Sequence, residues 1–259
     1  MTSTAGSALI SLTSIPDIVR LLVVVFGCAI FAGLLRKWTG LGNGRDEIWA
    51  TARATVQLLV VGLIITAVLG SWWLTALFVT VMVAVAARTS SSRIGVKRQR
   101  ERSWILLPIA LGAIPITLLL VVVGLLPAHP VSVIPTAGIL IGNAMTGTTL
   151  AGKQAFSAMR ERKGEVEAAL SIGLLEPESR LMVAQPAAQL ALIPTVDTTR
   201  TVGLVTLPGA FVGTLLGGAT PLEAAALQLV VLVGIIVAQS IAVPLVLQLI
   251  VRGHVTQRA

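Results

Sequence analysis

The sequence predicts an all-α, polytopic membrane protein with about seven transmembrane helices and one short helix outside the bilayer. Three observations carry this expectation. Hydrophobic residues make up 55% of the chain and charged residues only 12%, against about 25% charged in a soluble domain. Mean hydropathy is +0.93. Apolar runs long enough to cross roughly 30 Å of hydrocarbon, about 20 residues in a helix, recur along all 259 residues. Helices are the expected form because lipid leaves open backbone groups unsatisfied.

Seven spans follow in order within one transmembrane domain, 1–259. The first, about 15–35, ends at Arg36 and Lys37. It reads as a retained helix and not a cleaved signal, since no basic residue precedes Arg20 and the apolar run is long. The second (49–70) and third (72–87) are separated by Gly70 and Ser71, and the third is short. The fourth (103–126) and fifth (132–151) flank "PAHPV". The sixth, 186–216, is long and interrupted by Pro194, Pro208 and several glycines, with Gly209 directly after Pro208. Those breakers predict two half-helices or a kink, a break or gate tolerated only where protein or water covers the freed backbone. The seventh covers 222–251. Trp38, Trp49, Trp72, Trp73 and Trp104 lie near span ends, as interfacial anchors do. The lone Cys28 lies mid-span and allows neither an intramolecular disulfide nor a cysteine cluster.

Charge alternates between the connections. All nineteen Lys and Arg except Arg20, Arg53 and Arg200 fall on one side of this arrangement, and the connections at 70–71, 127–131 and 217–221 carry none. The positive-inside rule then puts the N-terminus outside and the C-terminus in the cytoplasm. The net charge of +8 is accounted for by topology, so the expected surroundings are a lipid bilayer of the cell (plasma or inner) membrane, with no nucleic-acid partner.

The stretch "GTTLAGKQ" at 147–154 is one residue short of a phosphate-binding G-x-x-x-x-G-K-[ST] loop. Gln154 stands where the Mg²⁺-binding hydroxyl belongs, and the preceding residues are a membrane span, not a buried strand. Gly147 and Gly152 are therefore assigned to helix packing and Lys153 to the inner interface. The chain is not expected to hydrolyse ATP.

After it comes Met159–Arg180, the only long polar stretch inside the chain. Val166, Ala169, Leu170, Gly173 and Leu174 recur at helical spacing while Glu161, Arg162, Glu165 and Glu167 cover other faces, predicting an amphipathic helix over about 160–175. Periodicity leaves open whether it is a surface connector or a docking element. Glu167-Ala168-Ala169, then Gly173, then Val183-x-Gln185-Pro186, resembles the E-A-A-x₃-G-x₉-I-x-L-P loop of ABC-transporter permeases, with Val for Ile and Gln for Leu. In such permeases this helix docks on a separate ATPase. The resemblance makes Glu167, Ala168, Ala169, Leu170 and Gly173 the ATPase-coupling residues, with the small Ala and Gly expected to permit close approach.

The likeness extends to "ARATVQLLVVGLIITAVL" (51–69), "IGNAMTGTTLA" (141–151), "ALIPTVDTTRTVGLVTLPGAFVGTLLGGATPLEAA" (191–225) and "LQLVVL" (227–232). Together these are similar to the FetB-type ABC transporter permease family, which includes bacterial iron exporters and plant proteins linked to aluminium tolerance. That resemblance implies a homodimer working with two copies of a separate ABC ATPase, exporting a metal or metal complex. It implies no cofactor on this chain, with ATP-Mg held by the partner.

Polar groups inside spans are candidates for a substrate pathway, because a charge deep in the bilayer costs about 2.5–3.5 kcal/mol on insertion scales. Arg53 and Gln57 lie one turn apart in the second span; Arg53 anchors at the interface or serves function, and Gln57 faces a pathway or a neighbouring helix. Asn143, Thr146, Thr148 and Thr149 add oxygens to the fifth span beside Gly142 and Gly147, whose expected role is close helix approach. Asp197 and Arg200, spaced to form an ion pair, read as a structural clamp on the break or as a cation ligand with its counter-charge. His129 and His254 are isolated, so no tight transition-metal cage is visible and the metal ligands stay unknown. A self-sufficient secondary transporter or channel using Asp197 and Arg200 is the competing function. An intramembrane enzyme is not, since no G-x-S-x-G, H-E-x-x-H or paired intramembrane Asp occurs.

Overall fold

A computed structural model describes residues 14–42 and 44–257, divided into a unit ending at Gly70 and a second beginning at Ser71. The first unit is a helical hairpin of α1 (Ile15–Trp38) and α2 (Arg45–Leu69). Asp17 lies in the first turn of α1 and Arg36 and Lys37 in its last, each complementing the helix dipole. The two helices touch where Gly33 meets Gly44. A Cβ on Gly33 would collide with the Gly44 carbonyl oxygen, so only glycine permits this crossing. Arg36 closes the turn by pairing with Glu47 and donating to the Leu41 carbonyl at 3.1 Å.

The second unit contains α3 (Trp72–Ile94), α4 (Gln99–Arg102), α5 (Leu106–Val122), α6 (Pro130–Glu161), α7 (Lys163–Ser171), α8 (Glu176–Ala188), α9 (Ile193–Thr201), α10 (Gly209–Leu216) and α11 (Pro221–Val251). Single 3₁₀ turns join α4 to α5 and α8 to α9. Helix α6 is the hub and packs on α3, α5, α8 and α11. Its small residues Ala137, Ala144, Ala151 and Ala155 are buried, as are Ala238 and Ala242 of α11. Small side chains let the backbones approach, which matters where lipid supplies no hydrophobic force between helices. Gly152 is one such contact, since a Cβ there would meet Ile94 Cδ1 of α3 at 2.8 Å.

Among the described residues, six stretches are long and apolar enough to cross a membrane: α1, α2, α3, the α4–α5 run Gln99–Val122, α6 and α11. The expected sixth span, 186–216, is not a single helix. Helix α8, a 3₁₀ turn and α9 run from 176 to 201, an irregular turn fills 202–208, and α10 follows. Proline accounts for the division. Pro194 lies in the first turn of α9 and Pro208 caps α10, each where its missing N–H leaves no helical bond unmade. Gly209 opens α10. The expected 160–175 helix also differs, because α6 continues through Glu161 and α7 is confined to Lys163–Ser171. At about 48 Å, α6 outruns the hydrocarbon and carries the polar stretch beyond it.

At the end of this unit rich in Lys and Arg, the residues after α11 turn back onto the α3–α4 connection. Thr256 donates from its N–H (2.9 Å) and hydroxyl (2.7 Å) to Glu101 Oε2, and Lys97 N–H reaches the Thr256 carbonyl at 2.9 Å. Gln257 donates to the Ile94 carbonyl at 2.8 Å and accepts from Arg160 at 3.0 Å. His254 meets Trp104 edge-on, with ring centroids 5.1 Å apart.

Candidate coupling helix and mid-membrane polar site

Helix α7 is held from one side only. Ala169 is buried, Val166 and Leu174 are half-buried, and the helix packs on α8 and the end of α6. At the edge of that face Leu170 is 40% exposed, and beyond the helix end Ile172 (79%) and Leu175 (66%) are exposed. Charged side chains cover the rest of α7. Lys163 pairs with Glu167 at 3.2 Å, and Arg162 donates through Nε to Glu165 at 2.7 Å. The Arg162 guanidinium thereby holds the Glu165 carboxyl below its ordinary range.

Gly173 has a part of its own within this chain. Its φ is +95° and a Cβ there would meet nothing within 4 Å. It ends α7 in a Schellman arrangement, with Leu174 N–H on the Ala169 carbonyl (3.1 Å) and its own N–H on Leu170 (3.0 Å). The next chain segment starts α8, where Glu178 accepts from the Leu175 N–H at 3.2 Å. Val183, in the second half of the motif, is fully buried, while Gln185 and Pro186 are exposed.

One polar residue of the second unit that hydropathy hides joins three helices. Gln239 of α11 is 2% exposed, donates to the Asn143 carbonyl of α6 at 3.1 Å and accepts from the Thr195 hydroxyl of α9 at 2.7 Å. It ties three helices together. Gly147 makes the room, since a Cβ there would lie 3.2 Å from Gln239 Cγ. Gly142 meets nothing within 4 Å, so the close approach expected of both glycines holds for Gly147 alone. The Asn143 and Thr146 side chains turn back on their own helix, donating to the Ile139 and Gly142 carbonyls at 2.9 Å each. Thr149 reaches Ser90 of α3 at 2.9 Å, and the fully buried Thr148 hydroxyl has no partner. Gln57 and Arg53 are both exposed on α2.

The bond between Thr195 and Gln239 also fixes depth. Helix α11 is about 46 Å long, and Gln239 lies about 27 Å from its start at Pro221. From there α9 runs toward the start of α11, because Val202, Leu207 and Phe211 line an apolar cavity of about 410 Å³ with Ala225, Gln228 and Leu232. Asp197 and Arg200 therefore lie beside the middle of α11. They pair at 3.3 Å, yet their side chains are 58% and 73% exposed. Among the described residues, no three of His, Cys, Asp and Glu converge as metal ligands.

The profile of the uncharacterised protein family UPF0014 matches residues 19–254. The chain belongs to the UPF0014 family. The UPF0014 membrane protein slr1647 of Synechocystis is 30% identical over 86% of this chain and 88% of its own length. Protein ALUMINUM SENSITIVE 3 of Arabidopsis thaliana is 34% identical over 78% and 75%. The probable iron export permease protein FetB of Escherichia coli is 29% identical over 78% of each chain. No solved structure matches the chain. With six apolar helices among its described residues, this UPF0014 member is a multi-pass membrane protein.

Proposed function

We propose that this UPF0014 protein is the membrane subunit of an ABC-type exporter, moving iron or another metal, free or complexed, out of the cytoplasm. A separate ATPase docks on α7 and supplies the energy, two copies of each chain making the transporter. The basic end of the helices faces the cytoplasm of the cell membrane, and the path runs past Asn143, Thr146, Asp197 and Arg200, with Gln57 a further candidate. One observation carries this reading: the end of α7 and the residues just after it expose Leu170, Ile172 and Leu175 on a charged helix, at the basic end of a bundle whose relative is named as a probable iron export permease. Apolar anchors beside charged side chains are what a helix needs to seat in a groove on a partner.

The test is iron retention in cells lacking the chromosomal copy, loaded with radioactive iron and then chased. The wild-type chain restores efflux; Ile172→Asp with Leu170→Asp inserts in the membrane equally but leaves iron inside and no longer co-purifies with the ATPase. Efflux that survives this double change would defeat docking on α7. A self-sufficient carrier built on the exposed Asp197–Arg200 pair is the other reading. It predicts ion-driven transport by the purified chain alone in liposomes.

A further inference from the structure

Asp197 and Arg200 satisfy one another only in part. Their single contact of 3.3 Å leaves most of both side chains exposed, beside the middle of α11, one of the second unit's candidate membrane spans. Exposed charges at that depth face protein or water, not hydrocarbon. The backbone beside them makes the same demand. Residues 202–208 form no regular helix, and their cross-turn hydrogen bond is Gly203 N–H to the Thr206 carbonyl at 2.9 Å. Irregular backbone at membrane depth persists only where something other than lipid covers it. This turn nevertheless presents Leu204 at 92%, Val205 at 77% and Leu207 at 62% exposure. A surface mixing a charge pair with a bare apolar crest suits a protein cover better than a water-filled one.

We propose that α9, the 202–208 turn and α10 form the face on which a second copy of this chain docks, with Asp197 of one copy opposite Arg200 of the other. Charge complementarity selects the occupant. An acid and a base three residues apart on one helix are self-complementary about a two-fold axis, which is the requirement of an isologous interface. Two copies convert two half-satisfied pairs into a closed ring of four charges, and the two apolar turns cover each other. The location of this face rests on the permease reading only in taking two copies as the working unit.

The experiment uses the full-length chain with Cys28→Ala. Leu204→Cys in that background should give a covalent dimer with a short bis-maleimide in native membranes. Asp197→Arg and Arg200→Asp, each expressed alone, should lower that cross-link at least tenfold. Co-expressed under different tags, the two variants should recover it and co-purify as a mixed dimer. The pair within each helix stays broken in that mixture, so recovery reports contact between copies. An absent Leu204→Cys dimer would overturn the proposal without reference to whether the charge variants fold. So would charge variants that associate like the wild type, or a mixture that does not recover, as when the cover comes from within the same chain or from water. ATPase stimulation measured on the same membranes separates the two readings. Cross-linking without stimulation removes the permease reading and leaves this face, while stimulation without cross-linking does the reverse.

Discussion

Gly147 leaves the notch that Gln239 fills: a methyl group on Gly147 would press within 3.2 Å of Gln239 Cγ, and within 3.4 Å of Val243 Cγ2. Gly147→Ala should therefore push Gln239 off the Asn143 carbonyl and the Thr195 hydroxyl, at a cost of about 1–3 kcal/mol as overpacking does. Gln239→Ala loses the two interhelical hydrogen bonds, worth about 0.6 kcal/mol each on average in membranes, and leaves a small void. The double variant should be less destabilised than the sum of the singles, because the alanine at 239 vacates the space that the alanine at 147 needs. Thermal unfolding in detergent of the four chains gives the cycle. Strict additivity would show that the two residues do not compete for this space.

At Gly173 the backbone sets a requirement that does not depend on a partner. Within this chain a side-chain methyl would project into open space with nothing within 4 Å, and the constraint is φ +95°. Gly173→Asn should be tolerated, because asparagine visits left-handed conformations readily, whereas Gly173→Val should loosen the end of α7 by about 1–2 kcal/mol. Hydrogen exchange of the Leu174 N–H and iron efflux should both follow that order. If close contact with a partner set the requirement instead, Asn and Val would lose efflux alike.

Hydropathy and charge alternation made the helical membrane class and the position of α7 legible, since both are properties of composition along the chain. The Asp197–Arg200 pair was legible for a local reason, its spacing of three residues on one helix. Gln239 was not: it stands in the apolar run "LVVLVGIIVAQSIAVPLVLQLIV" and its partners come from helices 44 and 96 residues away. Gly142 and Gly147 look alike in sequence, and only their angular positions toward α11 separate them. The sixth span read as interrupted because Pro194, Pro208 and several glycines stand inside it. Where Pro194 and Pro208 divide it depends on which residues α6 and α11 support.

The return of the chain end onto Glu101 gives a last expectation. Residues 101 and 256 are 155 apart, yet Glu101 Oε2 accepts both the Thr256 N–H and hydroxyl, and the clasp covers Val255 (1% exposed), Val96 (2%) and Ile94 (0%). A hydrogen bond to a charged group contributes about 1.5–3 kcal/mol when dry and less at this partly wet end. Glu101→Ala should thus free the tail by about 1–2 kcal/mol, enough to raise its open population roughly five- to thirtyfold. Trypsin should then cut after Arg252 faster by a similar factor, while the cleavage rate between α1 and α2 stays as in the wild type. Glu101→Gln, which keeps an acceptor for the Thr256 N–H, should fall between the two. An unchanged rate at Arg252 in Glu101→Ala would mean that the apolar packing of Val255, and not the carboxylate, holds the clasp.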